Sequence, residues 1–130
     1  MSFDLRLERR ADAIFMEAQV LLSICNALKA HNAYAWEVSQ TDLADYLAIG
    51  ERSVQRITKR LVELGRLNRE AGTGHATYIY SVPNNAIPDA LTDLLLRYGV
   101  YIVETSEGYL YIEKNQDFFA RFSLDSYSEE

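Results

Sequence analysis

Two stretches with helical spacing of apolar residues lie between positions 40 and 64, separated by only Ala48, Ile49 and Gly50. Three residues are too few and too apolar for a surface loop. They read as a tight turn with Ile49 pointing into a core that the two helices share. In the first stretch, 40–47, Leu43, Ala44 and Leu47 make the apolar face. Ser39 is placed as its N-cap, and Asp42, three residues on, can reach back and favours the helix dipole. In the second, 51–64, Val54, Ile57, Leu61 and Leu64 face inward, and Gly65 stands where a helix stops. Beyond Gly65 the periodicity changes. Arg66 to Glu70, a glycine-rich turn (Ala71-Gly72-Thr73-Gly74-His75) and Ala76 to Val82 predict a β-hairpin over 66–82, ended by Pro83.

The flanks follow from the same periodicities. Ala11, Ile14, Phe15, Ala18, Leu21, Leu22, Cys25 and Leu28 predict an amphipathic helix over 8–31. Phe3, Leu5 and Leu7 alternate, which suggests a short strand or arm. Residues 33–38 read as a connector whose Tyr34 and Trp36 pack against the fold. Pro88 at a first turn, then Ala90, Leu91, Leu94, Leu95 and Tyr98, predict a helix over 88–98 stopped by Gly99. A second hairpin is expected over 100–113. Asn115 is placed to cap a short helix holding Phe118, Phe119 and Phe122, followed by a frayed acidic tail.

Charge is unevenly spread. The chain nets -6 over 130 residues, the wrong sign for a protein that coats DNA without selectivity. Residues 1–80 hold ten Lys/Arg against ten Asp/Glu, and residues 81–130 hold three against nine. The one concentrated positive segment is 51–70, with Arg52, Arg56, Lys59, Arg60, Arg66 and Arg69. Tyr98, Tyr101, Tyr109 and Tyr111 fall in the acidic part, where phosphate is repelled, so packing or an interface accounts for them better than base stacking.

Helix, short turn, helix and hairpin is the winged-helix order, and the string Ser39-Gln40-Thr41-Asp42-Leu43-Ala44-Asp45-Tyr46-Leu47-Ala48-Ile49-Gly50-Glu51-Arg52-Ser53-Val54-Gln55-Arg56 resembles bacterial and phage winged-helix regulators. Leu61-Val62-Glu63-Leu64-Gly65-Arg66-Leu67 is similar to the end of their recognition helix. The piece from Ala27 to Gln40 resembles phage and plasmid replication-initiator-like proteins. Ala48 stands where that family usually has a turn glycine, and Gly50 where it has a Ser or Thr cap. The resemblance covers about residues 20–82 and implies an α+β fold: a winged helix-turn-helix of three helices plus a β-hairpin wing over 1–82, with a C-terminal helix and β-hairpin extension over 83–130.

A helix presented by two others fits the major groove, which is about 12 Å wide, and offers one face to base edges. The face of 51–64 opposite Val54, Ile57 and Leu61 carries Arg52, Ser53, Gln55, Arg56, Lys59 and Arg60. These are the expected recognition-helix residues, and Arg66, Arg69, Thr73 and His75 the expected wing residues. The basic face can also be a merely solvated one, and His75 an idle loop residue. The function expected is that of a sequence-specific double-stranded DNA-binding protein, a transcriptional regulator. The alternatives are a replication or partition factor of the same fold, and an acidic winged-helix protein that binds other proteins. A homodimer through helix 8–31, the C-terminal extension or both is expected, with a possible protein partner on the acidic part.

Enzyme chemistry finds little support. There is no Walker loop, nucleophile elbow or metal-spaced His/Cys set. No cofactor or metal is expected. The single Cys25 makes no intrachain disulfide and reads as a small core residue. The charged N-terminus and the lack of an apolar run of about 20 residues set the expectation of a cytoplasmic protein without membrane attachment.

Overall fold

The computed structural model describes residues 2–84, 87 and 89–114. The chain is mixed α+β, with four helices and two small antiparallel sheets among the described residues. In order these are α1 (Ser2–Ala30), β1 (Trp36–Ser39), α2 (Gln40–Leu47), α3 (Glu51–Glu63), β2 (Asn68–Ala71), β3 (Thr77–Ser81), α4 (Asp89–Arg97), β4 (Val100–Glu104) and β5 (Leu110–Lys114). They form two compact units, Val20–Ile87, and Met1–Gln19 with Pro88–Glu130. The helix and tail expected beyond Asn115 lie outside the described residues.

The first expectation to fail is the N-terminal strand, because residues 3–7 are the start of α1. Three alternating apolar residues are a weak strand signal. Leu5, Arg6, Leu7, Glu8, Arg9, Arg10 and Ala11 are all strong helix formers with no breaker among them, so the helix runs through them and begins at Ser2. By length and composition Asp12–Ala30 is also apolar enough to cross a membrane, with a mean hydropathy of 1.3, contrary to the expectation that no run would be. A core helix meets the same test. Val20, Leu21, Leu22, Ile24, Ala27 and Leu28 of this stretch are buried within the protein.

The unit Val20–Ile87 is built on helix packing and one sheet. Val54, Ile57, Thr58 and Leu61 of α3 and Leu43 and Ala44 of α2 are buried. Leu64, expected inward, is 48 % exposed, while Leu67 is buried in its place. The reason is the reversal at Gly65 (φ 74°), where Arg66 N–H donates to the Leu61 carbonyl and Gly65 N–H to that of Val62. That reversal ends α3 within one residue of Leu64 and points the following chain back at the core. Cys25 is only partly exposed, and burial pushes its thiol up to about 11.

Residues 33–38, expected as a connector, instead lead into a strand, because Trp36–Ser39 form β1. This strand pairs antiparallel with β3, giving the sheet order β1-β3-β2. Four residues are too few to show a period, and the pairing partners Tyr80, Ile79, Tyr78 and Thr77 lie some forty positions away. Ser39 ends the strand and caps α2 at once. Its extended backbone (φ -77°, ψ 159°) leaves Oγ to accept from the Asp42 N–H at 3.0 Å. Across the sheet Trp36 and Arg69 face Tyr80, and Val38 and Ala71 face Tyr78. These residues share one face, and buried Val38 and Tyr80 mark it as the core side. Glu37, Glu70, Thr77 and Ile79 lie on the other face. Tyr34, expected to pack, is 88 % exposed, and Trp36 meets Tyr46 edge to face at 5.3 Å.

In the other unit, Ala18, Leu95 and Val100 are buried together, with Ile14, Phe15, Leu91, Ile102 and Ile112 against them. Gly99 (φ 73°) ends α4, and β4 and β5 make a hairpin whose turn holds Gly108 at φ 90°. Arg10 Nε donates to the Tyr98 hydroxyl at 3.0 Å, and the Tyr101 hydroxyl donates to Glu113 at 2.7 Å.

Candidate nucleic-acid interface

The α3 helix separates its two faces cleanly. Val54, Ile57, Thr58 and Leu61 are buried, while Arg52, Gln55, Arg56, Lys59 and Arg60 are exposed and Ser53 is half-buried. Intervals of three and four residues place the five exposed side chains on one stripe. From Arg52 to Arg60 the stripe runs about 12 Å at 1.5 Å per residue, comparable to the width of a major groove. Thr58 is the one polar side chain on the buried side. Its hydroxyl donates to the Val54 carbonyl at 2.7 Å, so it enters the core satisfied.

Two turns position α3. Before it, Ala48 adopts φ 57°, and Gly50 enters the helix at φ -67°, ψ 150° without a side-chain cap. After it comes the Gly65 reversal, which leads directly into β2. The turn between β2 and β3 is shaped by Gly72, where a Cβ would meet the Thr77 hydroxyl oxygen and stand 2.8 Å from the Thr77 carbonyl oxygen. Only glycine fits there.

The four expected wing residues have different environments. His75 is exposed at the turn. Arg69 lies on the core side of the sheet, half-buried, with its guanidinium 4.6 Å from the centre of the Tyr78 ring. Arg66 is half-buried, and its Nε has no hydrogen-bond partner. Thr73 is engaged by a residue the sequence reading passed over, Glu37. Thr73 N–H donates to the Glu37 carboxylate at 3.2 Å and Gly74 N–H at 2.9 Å. The Thr73 hydroxyl lies 3.0 Å from both carboxylate oxygens, and the Thr77 hydroxyl 3.0 Å from one. These donors, led by the Gly74 N–H, hold the Glu37 carboxyl below the usual carboxylate range. Strand alternation would have placed Glu37 outward. Nothing local could have connected it to a turn 36 residues further on.

Among the described residues, no group of three His, Cys, Asp or Glu side chains is placed to hold a metal ion. No protein-family model, curated protein or solved structure matches the chain.

Proposed function

We propose that residues 20–87 form a winged helix-turn-helix that binds double-stranded DNA with sequence selectivity, and that the chain works as a transcriptional regulator. The observation that carries this reading is the exposed stripe of Arg52, Gln55, Arg56, Lys59 and Arg60 on a helix whose opposite side is wholly buried. Arginine suits guanine edges and phosphates, and glutamine suits adenine. The order of the elements supports it too: α1, β1, α2, α3, then the β2–β3 hairpin, with β1 completing a three-stranded sheet. In this reading Arg52, Ser53, Gln55 and Arg56 meet bases, and Lys59 and Arg60, one turn later, meet phosphates. The chain acts as a homodimer, since such proteins gain affinity from two half-sites about 34 Å apart.

The test is selection of binding sites from random duplex DNA with the full chain, followed by a salt titration on the selected site. A recurrent motif and a salt-dependent affinity are expected. If no duplex binds at low salt, the reading fails. A second reading, an acidic protein-binding module, then takes its place. It is favoured by Glu70 on the outward sheet face and by the exposed Tyr34 and Tyr46.

A further inference from the structure

The β2–β3 turn is held by a contact from outside the hairpin. Glu37 reaches it from β1 and accepts from two backbone N–H groups and two hydroxyls in the turn. Residue 73 therefore has neither its N–H nor its hydroxyl proton left for a phosphate. The Thr77 hydroxyl proton is likewise shared between Glu37 and the Gly74 carbonyl, each 3.0 Å away. The turn is closed at its base by the Gly72 N–H donating to the Thr77 carbonyl at 2.9 Å, but for an acceptor of the Thr73 and Gly74 N–H groups it depends on Glu37. It contains two glycines, and Ala76 sits at φ 57°, a conformation L-residues seldom hold without support.

We propose that Glu37 is the positioning residue of the wing: it locks the 72–77 turn from the neighbouring strand, so that the tip meets DNA already ordered and presents His75. This rests on the DNA-binding reading above. It also reverses an electrostatic expectation. An acidic side chain beside a DNA-contacting loop repels phosphate, so removing it should strengthen binding. If Glu37 orders the wing, removing it weakens binding, because the turn's freedom must then be lost on association.

The sign of the effect is the test. Full-length Glu37→Ala, Glu37→Gln and Glu70→Gln are compared with the parent on the selected duplex at several salt concentrations. Glu70 lies on the same sheet face across Ile79 and serves as the charge control. Glu70→Gln is expected to bind as tightly as the parent or tighter. Glu37→Ala should bind roughly three- to tenfold more weakly with the salt slope unchanged, since no phosphate contact is lost. Glu37→Gln keeps one acceptor oxygen and should fall between them. In the free proteins, amide spectra of the Ala variant should show Thr73 and Gly74 displaced and 72–77 mobile on the nanosecond scale, with the remaining resonances in place.

Equal or tighter binding by both Glu37 variants overturns the proposal, as does a turn that stays as ordered as in the parent. If Glu37→Ala loses its whole spectrum, Glu37→Gln decides by the same criteria. A parent that binds no duplex defeats the DNA-binding reading itself. A parent that binds, with Glu37 variants that bind equally well, defeats only the positioning role.

Discussion

Ala48 and Gly65 close α2 and α3 in the same left-handed backbone conformation, at φ 57° and 74°, and through the same pair of hydrogen bonds. At α2 the Ala48 N–H donates to the Asp45 carbonyl and the Ile49 N–H to that of Ala44, at 3.3 and 3.2 Å. At α3 Gly65 N–H donates to Val62 and Arg66 N–H to Leu61, at 3.0 and 2.9 Å. The shared geometry puts an alanine in the backbone conformation that glycine favours, with the strain its Cβ brings.

Ala48→Gly should therefore stabilise the fold by about 1 kcal/mol, because the left-handed conformation costs an L-residue about 1–2 kcal/mol. Gly65→Ala should destabilise by about the same amount. A Cβ at Gly65 meets open space, so the loss is of backbone origin alone. Urea unfolding of both variants measures the two shifts. Shifts of the same sign would refute the common account.

Replacing Arg56 should separate base reading from charge. Arg56→Ala is expected to cost about 1–3 kcal/mol on the selected site and much less on random duplex. Lys59→Ala should weaken both alike and lower the salt slope by about one. Titrations on the two duplexes provide both numbers. An Arg52→Ala/Arg56→Ala double variant that binds as selectively as the parent would remove α3 as the reader.

The β2–β3 turn should come loose in acid. The folded-state pKa of Glu37 lies below its ordinary value, so its stabilising contribution is fully present above the usual carboxylate range and is lost as pH falls through the depressed pKa. Amide titration should show Thr73 and Gly74 shifting together below the usual range, and not in Glu37→Gln. A transition at the ordinary carboxylate pH would mean that the clamp does not hold in solution.

Cys25 should be inert while the protein is folded. Its thiol is raised to about 11 by burial, and the thiolate is the reactive form. Labelling by a disulfide reagent at pH 8 should be slow in the native chain and rapid in denaturant. Equal rates would place the thiol at the surface.

The periodicity of α2 and α3 was legible because a helix that buries one face must repeat its apolar residues at three and four, as Val54, Ile57 and Leu61 do. The same logic marked the opposite stripe of Arg52, Gln55, Arg56, Lys59 and Arg60, and glycine marked the end of α3. It overreached at Leu64, whose spacing fits the face but whose neighbour Gly65 turns the chain. At residues 3–7, an apparent alternation was outweighed by helix propensity.

By itself the sequence determined those elements whose physical cause lies within about one helical turn: the helices with their apolar faces, the Ser39 cap, the Gly65 stop and the β2–β3 hairpin. Only the tertiary structure decided that residues 36–39 are a strand, that Arg69 turns to the core side and stacks on Tyr78, and that Glu37 accepts from the β2–β3 turn. A four-residue strand is stabilised by the hydrogen bonds of a partner some forty positions away, and a carboxylate is placed by donors 36 to 40 positions away. Such contacts leave no period in the local sequence and exist only once the chain has closed on itself.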